Sequence, residues 1–348
     1  MLFTSPLQLY VPSNADLVAE YTNSITGATL FDTSAVGKLQ LTGPDAPMFL
    51  GNLSTNDIKN LPLGDGCETY FCDSRAKVMF QTWVYHVRLS DGRNALWLET
   101  TAGRNADLLK YLDRYLISEA VEMEDFTESF AQMHLAGPDA TAVLESALAD
   151  SIQKLNEFQH MERTFGHSAT CSIRRRDPLG MPGFDIVCLN ERAAGVWRML
   201  SAAGAKPASA ETYETLRIEA GTPLFGPDMD ESRFVMEVGN AARAVSFSKG
   251  CYLGQEPIVM SRDRAGHAPR AFVGLQASGK SALPSGAKLF IGEDEIGIVT
   301  SRTYSRRAGA TIALGYVKWK HREVGTEVEA RTESGAEALR IVTLPPSN

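Results

Sequence analysis

Two hydrophobic rhythms share the first three quarters of the chain, and only one of them continues to its end. Leu39-Gln40-Leu41-Thr42 alternates with the period of a strand, and Gly43-Pro44-Asp45-Ala46 then opens a helix: proline is tolerated in a first turn and the helix dipole favours an acid there. The unit returns. Leu41 to Leu50 matches Leu135 to Leu144 in register, with Gly137-Pro138-Asp139-Ala140 as the second corner. A strand, a corner and a helix used twice predict two similar α+β halves. Between the repeats, Cys67 to Cys72, Lys77 to Leu89 and Ala95 to Thr100 read as a meander, with turns at Asp73-Ser74-Arg75 and Asp91-Gly92-Arg93. Arg104 to Leu116 puts Leu108, Leu109, Leu112, Tyr115 and Leu116 on one helical face, a core stripe. After the second repeat, Ala169 to Arg176 and Phe184 to Leu189 read as strands flanking the Pro/Gly-rich loop 177–183. Helices follow over Glu191 to Ala203 and Ala210 to Ala220, the second capped by Ser209 and stopped by Gly221 and Pro223. From about Arg270 the helical period disappears. Six short strands, Ala271 to Gln276, Lys288 to Ile291, Ile296 to Ser301, Ile312 to Val317, Glu327 to Ala330 and Ala338 to Thr343, predict a small all-β barrel or sandwich beginning near His267-Ala268-Pro269.

The chain has 348 residues, 44% hydrophobic and 22% charged, enough for two or three domains with a substantial core. Its net charge of −8 gives no support to a general nucleic-acid or anionic-membrane surface, although Arg174-Arg175-Arg176 and Arg262 to Arg270 are local basic spots suited to a small anion. The five cysteines (Cys67, Cys72, Cys171, Cys188, Cys251) are odd in number and widely spread, so neither a disulfide framework nor a metal or cluster site is expected, and a reducing compartment is. Cys67 and Cys72 fall on opposite faces of one strand. Met1 to Asn14 lacks a basic n-region, no segment approaches the ~18 apolar residues of a membrane span, and a cytoplasmic location follows. The six histidines show no ligand spacing, and there is no P-loop or Gly-x-Gly-x-x-Gly.

One stretch carries candidate chemistry. Lys249-Gly250-Cys251-Tyr252-Leu253-Gly254-Gln255-Glu256 sets a cysteine between glycines that permit sharp turns, beside a lysine and ahead of a helix start at Gln255-Glu256-Pro257; lysine and helix dipole both favour a thiolate. A buried structural cysteine in a tight turn is the competing reading.

The stretch resembles the Lys-Gly-Cys-Tyr-x-Gly-Gln-Glu signature of the YgfZ-type folate-binding proteins, relatives of the glycine-cleavage T-protein that serve iron–sulfur cluster assembly or repair. Gly27-x-x-x-x-Asp32-x-Ser34, both Gly-Pro-x-Ala corners, Thr215-Leu216-Arg217-Ile218-Glu219-Ala220-Gly221-x-Pro223-x-x-Gly226-x-Asp228 and the terminal β module are similar to that superfamily in order and spacing. The resemblance implies an α+β fold: a region over 1–268 built from two ferredoxin-like folate-binding subdomains, one inserted at about 54–130, and a β-barrel over 269–348, in a three-lobed ring. It implies tetrahydrofolate or a one-carbon derivative as cofactor, with Arg217, Asp185, Tyr252, Gln255 and Glu256 as binding residues and Cys251 with Lys249 as the functional thiol site. Iron–sulfur client or assembly proteins are the implied partners, with transfer-RNA thiolation affected indirectly.

Departures divide the function. Where T-proteins carry Gly-Gly-x-x-Asp-Asp, this chain has Ala76-Lys77-Val78-Met79-Phe80-Gln81, and neither Phe80 nor Gln81 can accept a proton as the family's reacting aspartate does. Where T-proteins have Tyr-Thr-Gly-Glu-x-Gly-Phe-Glu, the stretch Gly180 to Asp185 has Met181 at the first acidic place and Asp185 at the second; Asp228 and Glu237 are other acids able to serve the pterin. Met260 stands where relatives have an arginine, with Arg262 two residues on. These residues favour a tetrahydrofolate-binding accessory protein; a folate-dependent aminomethyl or methyl transferase and a non-catalytic scaffold are the alternatives.

Overall fold

The computed structural model describes residues 16–166, 168–332 and 335–345. His167 and the Met1–Asn14 stretch considered above lie outside the described residues. Contacts group the chain into two compact units, one running to Thr69 and resuming over Phe80–Tyr213, the other taking Tyr70–Met79 and everything from Glu214 onward.

In the first unit, α1 (Leu17–Thr26) starts on Asp16, whose carboxylate accepts from the Val18 and Ala19 amides at 3.1 and 3.0 Å. The first repeat follows as β1 (Thr29–Asp32), β2 (Gly37–Thr42), α2 (Ala46–Leu53), β3 (Gly66–Cys72), β4 (Val78–Arg88), β5 (Asn94–Thr100) and α3 (Asn105–Asp113). The second comprises β6 (Glu122–Asp125), β7 (Phe130–Ala136), α4 (Ala140–Leu148), β8 (His160–Phe165), β9 (Ala169–Arg175), β10 (Gly183–Leu189) and α5 (Asn190–Ala202), before β11 (Lys206–Pro207) and α6 (Ala210–Ala220). The anticipated duplication is present, but its lead strands are exchanged. One sheet runs β3-β4-β5-β2-β6 and the other β11-β1-β7-β10-β9-β8, so β1 pairs with β7 of the second repeat and β6 with β2 of the first.

The two corners show why glycine stands in both. Gly43 has φ +112°, and a Cβ there would lie 2.0 Å from the Ala120 carbonyl oxygen; Gly137 has φ +132°, and its Cβ would lie 2.2 Å from the Gly27 oxygen. Each corner closes on a residue two positions ahead of the strand borrowed from the other repeat. Beneath the second sheet, Leu135, Ile173 and Ile186 pack on Leu144 and Val143 of α4 and on Val196 and Leu200 of α5. Strand β8 was not anticipated, because Glu162 and Arg163 interrupt its apolar alternation.

In the second unit, Tyr70, Cys72, Ala76 and Val78 pack with Val235, Val238, Ala244, Tyr252 and Ile258. Short helices α7 (Ala241–Ala244) and α8 (Gln255–Met260) frame the cysteine loop, and α8 runs into a π-type turn over Ser261–Ala265. The terminal module is a closed barrel. Its strands β12 (Arg270–Ala277), β13 (Lys288–Ile291), β14 (Asp294–Ser305), β15 (Ala310–Lys318), β16 (Glu327–Thr332) and β17 (Gly335–Val342) follow the order β12-β15-β14-β13-β16-β17 around Leu275, Leu289, Val299, Val317 and Ile341. No described helix is long and apolar enough to cross a membrane.

Candidate functional site

Strand alternation sends successive side chains of β4 to opposite faces. Phe80 turns to the helix side, where its ring meets Tyr111 of α3 at 5.4 Å and Arg104 at 4.9 Å. Gln81, Trp83 and Tyr85 take the other face, toward the second sheet. There the Gln81 amide donates to buried Glu68 of β3 at 2.8 Å. Of the two positions that sequence similarity aligned with family carboxylates, only Gln81 therefore reaches the inner face.

Opposite this face, β7, β9 and β10 present His134, Gln132, Arg174, Arg176 and Asp185. Arg176 lies over the Trp83 ring at 4.2 Å and Arg174 over Tyr85 at 4.4 Å. Arg174 pairs with Glu99 of β5, and Arg176 donates to Asp185 at 3.0 Å and to Glu99 at 3.4 Å. Asp185 Oδ1 lies 2.8 Å from His134 Nδ1. Burial opposes the charge on Asp185, but the Arg176 guanidinium and the His134 hydrogen bond outweigh it and hold the carboxyl at about 2. An ionised Asp185 can only accept, so His134 Nδ1 carries a proton toward it and Nε2 is the ring atom left for another partner. That Nε2 and the Gln132 Oε1 are buried without hydrogen-bond partners among the described residues. Gly183 stands against the same imidazole: a Cβ on it would lie 3.0 Å from Nε2. Lys38 closes the cluster from β2, donating to the Ser34 and Val36 carbonyls at 2.8 and 2.7 Å. Burial lowers it to about 8 against the opposing pull of Glu99.

The charges of the basic triplet read as an anion spot are thus paired internally. Arg174 and Arg176 point inward to Glu99 and Asp185, while Arg175 pairs with Asp177, whose carboxylate also takes the Gly183 amide at 2.9 Å and closes the Pro/Gly-rich loop. Asp185 is the one sequence-predicted binding residue in this cluster. Glu68, Glu99, Gln132, His134 and Trp83 were missed, and only the period-2 placement of Glu68, Trp83 and Glu99 on the meander strands and of Gln132 and His134 on β7 hinted at shared faces.

The remaining predicted residues belong to the second unit. Arg217 of α6 is 1% exposed, and all five of its N–H groups are engaged, by both Glu214 oxygens, the Thr222 carbonyl, Asp228 at 2.7 Å and Ser301 at 2.9 Å. Asp228 also accepts from Thr300 at 2.5 Å and Ser301 at 2.7 Å, and Glu237 is buried. In the cysteine loop, Cys251 is exposed, whereas Cys72, Cys171 and Cys188 are buried and Cys67 is half-buried. Tyr252 anchors the loop in the apolar cluster, with Lys249 Nζ 4.7 Å above its ring; burial and the neighbouring Cys72 push its hydroxyl up to about 12. Gly254 at φ +83° starts α8, where Gln255 is half-buried and Glu256 exposed. A Cβ on Gly254 would lie 2.6 Å from the Asp73 carbonyl oxygen. Although the cysteines are spread along the sequence, Cys171 and Cys188 meet on neighbouring strands, and the Cys171 thiol donates to the Ala169 carbonyl at 3.4 Å.

Comparison with known proteins accounts for nearly the whole chain. Residues 5–249 match the GCVT N-terminal domain and residues 270–347 the glycine cleavage T-protein C-terminal barrel domain. An aminomethyltransferase of Rubrobacter xylanophilus is 30% identical over 331 residues, covering 95% of this chain and 86% of that protein. The aminomethyltransferase of Bacillus mycoides is 26% identical over 92% and 87% of the two chains. In fold, the chain is similar to the glycine cleavage system aminomethyltransferase T of Bartonella henselae, with a TM-score of 0.83 at 24% identity over 94% of this chain and 89% of that one.

Proposed function

This chain belongs to the glycine-cleavage T-protein family, and from that premise we propose that it binds a reduced folate on the inner face around Asp185. We further infer a role in iron–sulfur cluster assembly or repair, in the cytoplasm, with Cys251 as the working thiol. The observation that carries the first part is the acceptor Gln132 Oε1, buried with His134 Nε2 and like it without a partner among the described residues, beside ionised Asp185. An amino-pyrimidine edge offers N–H donors that such acceptors lack, so the residues fit the group in kind. Asp185 accepts from the pterin edge, Arg176 keeps that carboxylate charged and aimed, and Trp83 offers a flat apolar surface. When bound, the folate supplies a nitrogen that takes or gives a one-carbon unit.

The inner-face amide of Gln81 supports the accessory role over amine transfer, since it cannot take a proton from a reacting nitrogen. Exposed Cys251 is open to a partner protein. Calorimetric titration of the reduced protein with tetrahydrofolate tests the reading: saturable binding is expected, weakened about tenfold or more by Asp185→Asn. Equal binding by the variant would remove Asp185 from the site. Cys251→Ala should fail to complement a deletion strain in cluster-dependent growth, and full complementation would end the role given to the thiol. A second reading, aminomethyl transfer, is favoured by the Rubrobacter relative and by Glu68, a buried carboxylate one strand from Gln81. Tetrahydrofolate-dependent turnover of a methylamine-bearing donor would establish it.

A further inference from the structure

Between the two sheets of the first unit, where β4 runs into its Leu89–Ser90 turn, lies a cleft of about 630 Å³ that takes in none of Gln81, Trp83, Arg176 or Asp185. Gln81 and Arg88, which lines this cleft, are separated by roughly 23 Å of extended strand. The volume falls in the range of small-molecule sites. Its polarity is graded. Leu63 and Leu189, both 44% exposed, stand on it and are among the few large apolar side chains left in solvent. Trp97 and Val187 line it as buried apolar walls. Deeper still is Arg174, 2% exposed, with Ser172 beside it.

Arg174 is incompletely used. Its Nε donates to Ser172 Oγ at 3.1 Å and Nη1 pairs with Glu99, but Nη2 makes no hydrogen bond to any described residue. An N–H without a protein acceptor is open to a ligand in the cleft, and a planar guanidinium edge suits a carboxylate. Ser172 Oγ accepts from Arg174, so its own O–H is free to donate as well. At the rim, Arg88 and Glu162 offset one another, so selection rests on the deep donors and the apolar body, not on net charge.

We propose that this cleft binds a small monocarboxylic acid with an apolar ring or chain, its carboxylate on Arg174 and Ser172 and its body running along Trp97 and Val187 to the leucine mouth. The site adjoins the folate reading at Arg174 but does not depend on it. The test is calorimetric titration of the full-length protein with octanoate and with 3-phenylpropanoate, each beside its primary amide. Saturable one-to-one binding of at least one acid is expected, with the preferred acid telling chain from ring, and the amide about tenfold weaker or worse. Leu63→Trp and Leu189→Trp fill the mouth from exposed positions without disturbing the core, and each should weaken the acid about tenfold while leaving the tetrahydrofolate isotherm unchanged. Arg174→Lys keeps the charge but loses the fork and should weaken it too; the mouth variants carry the test where that protein folds poorly. No saturation by either acid, equal binding of acid and amide, or full affinity in both mouth variants would overturn the proposal.

Discussion

Two buried arginine clusters, one in each unit, use the same chemistry to different ends. Around Arg217 every donor has an acceptor, and Asp228 is further tied to Thr300 and Ser301. Around Arg176 and Arg174 the charges are also paired, yet among the described residues His134 Nε2 and Gln132 Oε1 are buried without partners and Arg174 Nη2 makes no hydrogen bond. A saturated cluster has nothing to offer a ligand and serves as a brace; a cluster with spare valences holds its shape and can still bind.

The largest effect expected from this contrast is on stability. Arg217→Met strands Asp228 and Glu214 and should cost about 3–5 kcal/mol in denaturant unfolding. A variant that stayed fully stable but lost folate affinity would show that the brace opens for ligand, and would erase the distinction between the clusters. Asp185→Asn should cost less, about 1–3 kcal/mol, because Arg176 keeps Glu99 as a partner, while its folate affinity falls about tenfold or more. Acid titration sharpens the same point. Asp185 is held at about 2 against an ordinary 3.8, so its contribution, on the order of 2 kcal/mol, is complete above the unfolded value and drains away as pH falls through about 2. The acid limb of the stability curve should be shallower in Asp185→Asn. Smallest in energy is the thiol test: iodoacetamide should label Cys251 first and without unfolding, leaving Cys72, Cys171 and Cys188 protected by mass spectrometry.

Local sequence carried the elements well where periodicity was clean. The repeated Gly-Pro-Asp-Ala corners, the meander, helices α5 and α6 and the barrel strands all lie where apolar spacing and turn residues put them. The order of strands around the barrel and the exchange of β1 and β6 were out of reach, since pairing between distant strands leaves no local mark. The candidate site was legible in fragments. Asp185 came from similarity to a family motif, but Arg174 and Arg176 looked like a free basic run because their neutralising acid, Glu99, lies 75 and 77 residues away. Phe80 and Gln81 are neighbours in the motif, yet strand alternation sends them to opposite faces.

The exchanged strands also set an order of events during synthesis. Once residues 29–32 leave the ribosome, their partner β7 is still about a hundred residues from being made, and β11 on the other flank arrives only at 206–207. At the usual elongation rates of about 5–20 residues per second, β1 waits on the order of ten seconds with both edges open. The first repeat cannot be finished before the second has begun, so a chain truncated between them is left with one sheet lacking β6 and an orphaned β1, bait for chaperones and for other nascent chains.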